Sequence, residues 1–97
     1  MTHRLIDELE REIRDGDAQQ VQSRLAEIYE ELLGNDMDLV NSIVEPRVIS
    51  SLHQRLNERL GVPPRAMMLK TRVPLRKQRA LMFVKAMQNG VRRVSDQ

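Results

Sequence analysis

Residues 17–34 read DAQQVQSRLAEIYEELLG and decide the fold class, because they carry the signals of one complete amphipathic helix. Asp17 is a good N-cap residue, and Gln20 completes a capping-box pattern three residues later. Gly34 follows as a helix-ending glycine. Four apolar residues, spaced four, three and four apart, share one face of this helix: Val21, Leu25, Ile28 and Leu32.

A second amphipathic helix is predicted just before it, from residue 2 or 3 to about residue 15. Its apolar face comprises Leu5, Ile6, Leu9 and Ile13. Asp15-Gly16-Asp17 ends it, and two helices joined by so short a turn are expected to pack antiparallel as a hairpin. The apolar face of residues 17–34 then serves either as core within one chain or as a dimeric coiled coil. Its length, under three heptads, favours core.

The next segment is also helical. Asn35 or Asp36 can cap a third helix, which contains Leu39, Val40, Ile43 and Val44. Pro46 either interrupts that helix or opens a new one at the first helical position, where its missing N–H costs nothing. In both cases residues 47–60 form a helix that ends at Gly61. Its predicted apolar face is Ile49, Leu52, Leu56 and Leu60.

The rest of the chain is broken into shorter pieces. After a turn at residues 62–64, the pattern favours a short helix to about residue 70, although residues 67–73 could instead be extended. A last helix is predicted over residues 75–89, with Gly90 as its stop and residues 91–97 as a frayed tail. Its apolar face is Ala80, Phe83, Val84 and Met87.

The predicted fold class is therefore all-α, with five to six helices in a single domain. An acidic helical part covers residues 1–45, and a basic part with shorter helices covers residues 46–90. Composition agrees, because 97 residues of which 40% are hydrophobic fit one small globular domain. Only Tyr29 and Phe83 are aromatic. So little aromatic volume favours completion of apolar burial in a homodimer.

Several classes of protein are disfavoured by composition. The absence of Cys excludes disulfide bonds, thiolate zinc sites and cysteine nucleophiles. No apolar run approaches 18 residues and the first residues are acidic and amphipathic, so we expect no membrane segment and a cytoplasmic location. Ser50, Ser51 and His53 lie too close on one helix for a nucleophile–base pair with a third orienting group. No catalytic residue, metal site, cofactor or small-molecule substrate is implied.

Charge is the main clue to function. Residues 1–50 contain twelve acids and five bases, a net charge of −7, whereas residues 51–97 contain eleven bases and two acids, a net charge of +9. The candidate binding residues for nucleic acid or an acidic partner are Arg65, Lys70, Arg72, Arg76, Lys77 and Arg79. The last three begin the final helix, where the positive helix dipole makes each base unfavourable by about 0.3–1 kcal/mol. Bases placed against the dipole indicate an anion site, and nucleic-acid phosphate is the common anion at this scale. Alternatively, these bases pair with the acidic half, within the chain or across a dimer.

One segment resembles a DNA-binding motif. Residues 52–70 read LHQRLNERLGVPPRAMMLK, the outline of a helix, a tight turn and a second helix with Arg and Lys. The residues that resemble the bacterial regulator pattern are Leu56, Leu60-Gly61-Val62 and Met67.

The same segment departs from that pattern at two places. Asn57 stands where a small residue is usual, and Pro63-Pro64 stands where a Ser or Thr cap is common. The resemblance implies that residues 64–70 form the recognition helix, with Arg65 and Lys70 directed into a groove of the DNA.

The Met-rich last third of the chain suggests a second use of the same half. Methionine is an adaptable packing residue on protein-binding surfaces. The candidate interface residues are Val21, Leu25, Ile28, Leu32, Met82, Phe83 and Met87. Two functional hypotheses follow. The first is a small non-enzymatic nucleic-acid-binding regulator. The second is an adaptor or inhibitor that binds an acidic partner protein through its basic, Met-rich C-terminal surface.

Overall fold

The computed structural model describes residues 3–63 and 75–96. Five helices occupy these ranges: α1 (Arg4–Asp15), α2 (Ala18–Leu33), α3 (Met37–Ile43), α4 (Pro46–Leu60) and α5 (Arg76–Ser95). They confirm the predicted all-α class, and no strand occurs in the described ranges. The alternative conformations predicted for residues 64–73 lie outside the described residues.

The turn between α1 and α2 forms as its sequence predicts. The Asp17 carboxylate accepts a hydrogen bond from the Gln20 backbone N–H, and the Gln20 side chain accepts one from the Asp17 N–H, both at 2.9 Å. A side chain at Gly16 would clash with the Gln20 amide and the Glu12 carbonyl. Glycine is therefore required for this close turn, which sets the two helices against each other.

The starts of α1 and α3 are joined by one side-chain pair. His3 caps α1, because its Nδ1 accepts a hydrogen bond from the Leu5 N–H at 3.0 Å. Its Nε2 therefore carries the proton and donates to Asp36 Oδ2 at 3.1 Å. Asp36 is the N-cap of α3 and accepts a hydrogen bond from the Leu39 N–H at 3.1 Å. Of the two predicted caps, Asp36 is used, while Asn35 adopts the left-handed conformation of the turn, with φ 66°.

Pro46 opens α4, as one of the two alternatives predicted, and Gly61 ends α4 in the left-handed conformation with φ 73°. The buried face is rotated slightly from the predicted one. Val48 is buried and Ile49 only partly buried, since the helix begins at Pro46 and brings Val48 toward the core.

Helix α5 is longer than predicted. It continues through Gly90 to Ser95, so the predicted stop at Gly90 and the predicted frayed tail are wrong. A glycine inside a helix costs about 1 kcal/mol relative to alanine. Burial of Gly90 and Val91, together with packing of Val94 against the core, offsets that cost.

Helix α5 runs antiparallel along α2. Near the start of α5, Lys77 donates to the Asn35 side chain, just beyond the end of α2. Near the other end, the Gln22 amide of α2 donates to the Gln88 carbonyl of α5 at 2.8 Å. The two contacts fix the register of this pair, which carries the most extensive contact between any two helices of the described residues.

A single apolar core lies between the helices. Helices α1 to α5 all contribute fully or nearly fully buried Leu, Ile, Val, Ala, Met or Phe side chains. No polar or charged residue of the described ranges is buried. Hydrophobic burial therefore holds the five helices together, while charged groups remain at the surface.

We expect Leu25→Ala to lower the free energy of unfolding by about 2–5 kcal/mol, because Leu25 is completely buried and its removal leaves a cavity. Urea unfolding measures the change. Leu33→Ala is the matched control on the same helix: Leu33 is 48% exposed, so its loss should change stability by no more than about 0.5 kcal/mol. Equal effects of the two substitutions would contradict the orientation of α2.

The cap at Asp36 predicts a pH dependence. The Leu39 N–H and, secondarily, the His3 side chain hold the pKa of Asp36 below its usual value of 3.8. The ionised carboxylate therefore stabilises the fold above about pH 4, and this contribution is lost as pH falls through the lowered folded-state pKa. We expect Asp36→Asn to be less stable than the original chain at pH 6. The difference in unfolding free energy should shrink as pH falls below 4, and a difference that grows toward acidic pH would contradict this sign.

Candidate functional site

Helix α5 carries the largest net charge of the described helices. Its 20 residues include no acid, and a helix of this length extends about 30 Å. Its six bases are Arg76, Lys77, Arg79, Lys85, Arg92 and Arg93. We refer to these six side chains as the α5 basic surface.

None of these bases is neutralised by an acid in the described structure. The ion pairs of the described residues involve His3, Arg4, Arg14, Arg24 and Arg55, but no base of α5. Every Asp and Glu of the sequence lies within the described ranges. The alternative hypothesis was that these bases form ion pairs with acids of the same chain. No such ion pair occurs among the described residues.

The contacts that the α5 bases do make are with neutral groups. Arg76 donates to the Asn41 side chain at 3.1 Å, and Lys77 donates to that of Asn35. These bonds position the first turn of α5 beside α3. Hydrogen bonds to uncharged amides leave the positive charges uncompensated.

Two further bases of α5 also contact uncharged groups. The Lys85 ammonium lies 5.3 Å from the centre of the Tyr29 ring, within cation–π range. Arg92 donates to the Asn89 side chain one turn earlier, at 3.0 Å. These interactions hold the side chains in place without neutralising them.

The start of α5 lacks the residues that would stabilise it. Leu75 occupies the N-cap position and forms no side-chain cap hydrogen bond, and the first turn contains no acid. Instead, Arg76, Lys77 and Arg79 fall there, as predicted from the sequence. Backbone N–H groups without a side-chain cap from Leu75, the helix dipole and three cations thus coincide at one helix end.

We expect Leu75→Asp to raise the free energy of unfolding by about 0.5–2 kcal/mol, because the carboxylate supplies the missing cap and opposes the dipole favourably. Leu75 is 58% exposed, so little apolar burial is lost. Thermal and urea unfolding measure the gain. Leu75→Ala is the control and should leave stability nearly unchanged, since Ala caps no better than Leu. Equal stability of the Asp and Ala variants would show that α5 does not begin at Arg76 in solution.

The remaining predicted binding residues, Arg65, Lys70 and Arg72, lie outside the described residues. Conversely, the predicted set omitted Lys85, Arg92 and Arg93, the last two because residues 91–97 were predicted to fray. The sequence feature that could have identified Arg92 and Arg93 as helical is the spacing of Val91 and Val94, which extends the apolar face of α5 beyond Gly90.

The predicted interface residues have a different place. Val21, Leu25, Ile28, Leu32, Phe83 and Met87 are at most 1% exposed, within the core of a single chain. Helices α2 and α5 cover one another, so the apolar face of α2 acts as core rather than as an open dimer seam. Of the seven residues, Met82 alone is exposed, at 38%. A homodimer stays a prediction and would need other contact residues.

The first half of the helix-turn-helix-like segment is well formed. Helix α4 ends at the left-handed Gly61, and Val62 packs into the core. The Asn57 amide donates to the Val62 carbonyl at 3.1 Å, which gives a structural reason for a polar residue where a small one is usual. The second half, residues 64–70, lies outside the described residues.

The other concentration of charge joins α1 to α2. Arg24 forms ion pairs with Glu8 at 2.8 Å, with Glu12 at 2.6 Å and with Glu27. The hydrogen bond that Arg24 donates to the Glu12 carboxylate is the main cause of the raised pKa of Arg24. Arg24 thus links α1 to α2 through ion pairs across the hairpin. No group of three or more potential metal ligands occurs in the described ranges.

Comparison with known proteins identifies no relative: no protein-family model, no curated protein and no solved structure matches this chain. Across residues 3–63 and 75–96, none of the helices has an apolar stretch sufficient to cross a membrane.

Proposed function

We propose that this protein is a small non-enzymatic nucleic-acid-binding regulator, and that the α5 basic surface contacts the phosphate backbone. The observation that carries the proposal is a helix with six bases, no acid and no ion pair in the described structure. Lys and Arg side chains that form no internal ion pair can displace the counterions condensed on nucleic acid, which is the main source of non-specific affinity.

The negative charge of residues 1–45 does not prevent the α5 bases from contacting phosphate. Three of its carboxylates, Glu8, Glu12 and Glu27, are already neutralised in part by Arg24. Repulsion between the remaining exposed acids and phosphate is screened beyond about 10 Å at 0.1 M salt. The close contacts of the α5 bases with phosphate then dominate the electrostatic free energy of binding.

Titration of a fluorescent 20-base-pair duplex between 50 and 200 mM salt tests the proposal by fluorescence anisotropy. If all six bases touch phosphate, the logarithm of the association constant should fall with the logarithm of salt concentration with a slope of about −5. We expect a Kd of about 1–100 µM near physiological salt. Absence of binding at 50 mM salt would refute the proposal.

A pair of charge-matched variants locates the surface. One variant neutralises three α5 bases: Arg79→Gln, Lys85→Gln and Arg92→Gln. The control neutralises three bases on other helices that form no ion pair in the described ranges: Arg11→Gln, Arg47→Gln and Arg59→Gln. Both lower the net charge by three. We expect the α5 variant to lose at least about tenfold in duplex affinity and to reduce the salt slope by about three, because three counterion-releasing contacts disappear. We expect the control to stay within about threefold, and equal losses would mean that net charge alone drives binding.

A second function is favoured by two exposed apolar residues, one at the start of α5 and one within it. Leu75, the N-cap residue, is 58% exposed, and Met82, about two turns into the helix, is 38% exposed. Apolar residues beside unpaired bases suit an acidic amphipathic partner. In this alternative, the protein is an adaptor or inhibitor of another protein.

The two functions separate in one experiment. Leu75→Gln with Met82→Gln removes the apolar contacts and keeps every base. Unchanged duplex affinity in this variant supports nucleic acid as the ligand of the charges. Failure of the original chain to bind duplex, together with capture of an acidic protein that the double variant no longer binds, would support the adaptor function.

A further inference from the structure

The chain offers no fully exposed ring of the Phe, Tyr or Trp type on which the unpaired nucleobases of a single strand could stack. Proteins that bind single strands usually hold the bases on exposed aromatic rings, each worth about 1–3 kcal/mol. The whole sequence contains two aromatic residues of the Phe, Tyr and Trp types, namely Tyr29 and Phe83. Both lie in the described structure, so their surroundings decide whether stacking is available.

Neither ring is fully exposed. Phe83 is 1% exposed, and its ring centre lies 5.4 Å from that of His53 inside the molecule. Tyr29 is partly buried against the core, and the Lys85 ammonium lies over one face of its ring, 5.3 Å from the ring centre. The α5 basic surface therefore has beside it only this one partly exposed ring of the Phe, Tyr and Trp types.

The α5 basic surface is supported by a helix whose opposite, apolar face is packed in the core. Its bases extend from Arg76 to Arg93 along one continuous helix that packs on the core, a span of about 26 Å. Over that length a nucleic-acid duplex presents about 15 phosphates in a fixed array, because it carries one charge per 1.7 Å. A single strand must lose conformational freedom to align with the helix and gains no stacking in return.

We infer that the nucleic acid recognised by the α5 basic surface is double-stranded, and that the protein contacts its phosphates rather than its nucleobases. This inference rests on the proposed function and adds to it the class of nucleic acid. The feature recognised is a duplex with two rows of phosphates, and both DNA and RNA duplexes have it.

The expected preference follows from counterion release. Six contacts give salt slopes of about −5 for duplex and about −4 for a single strand. With equal affinities extrapolated to 1 M salt, the duplex should bind about tenfold tighter at 0.1 M. Any stacking would remove or reverse this preference.

Competition anisotropy tests the inference with the full chain at 100 mM salt. The competitors are a 20-base-pair DNA duplex, a 20-base-pair RNA duplex, and a 40-nucleotide oligothymidine of the same total charge. Displacement by either duplex at concentrations about tenfold below those of oligothymidine supports the inference, and the two duplexes identify the source. Oligothymidine that competes as well as both duplexes would overturn it. No binding to any of the three would instead refute the proposed function itself.

A variant of Tyr29 tests base stacking directly, with its folding checked separately. Tyr29→Leu removes the one partly exposed ring while it preserves apolar volume. Circular dichroism and urea unfolding confirm that the variant is folded. We expect its affinities for duplex and oligothymidine to change by the same factor, within about twofold. A loss of oligothymidine binding at least about tenfold greater than that of duplex binding would reveal base stacking and overturn the inference.

Discussion

The antiparallel packing of α5 on α2 is the contact on which the rest of the molecule depends. It buries the apolar face of the longest helix, including Phe83 and Met87, against the most regular one. Because that face is committed to the core, the bases of α5 are held at its surface and at its two ends. Hydrophobic packing thus determines where the positive charge is presented, although the packed residues themselves carry none.

Much of this arrangement could be predicted from local sequence signals. The capping box of Asp17 and Gln20, the helix start at Pro46 and the left-handed stop at Gly61 each depend on residues within one turn. Local hydrogen bonds and backbone preferences decide such features, so a single sequence is sufficient to recognise them. For the same reason, the position of three bases in the first turns of α5 was predicted correctly.

The remaining features depend on contacts between distant parts of the chain. An apolar stripe on α2 indicates that something covers it, but not that α5, some 60 residues later, does so rather than a second copy. Gly90 was predicted to stop α5 because glycine disfavours helix locally. Its burial beside Val91 reverses that preference, since tertiary packing outweighs a propensity of about 1 kcal/mol. The bases at 92 and 93 were omitted from the candidate site through the same error.

The start of α5 separates the requirements of stability from those of binding. A cap and acids in the first turn would stabilise the helix, yet Leu75 and three bases occupy those positions. Arg76 and Lys77 are instead held by the neutral side chains of Asn41 and Asn35. Carboxylates there would improve the helix and cancel the positive potential, whereas amides orient the bases and preserve it. We propose that this basic helix end, which has no side-chain cap at Leu75, reflects stability given up for the binding of an anion, and the proposed function is therefore placed at α5 rather than at the hairpin of α1 and α2.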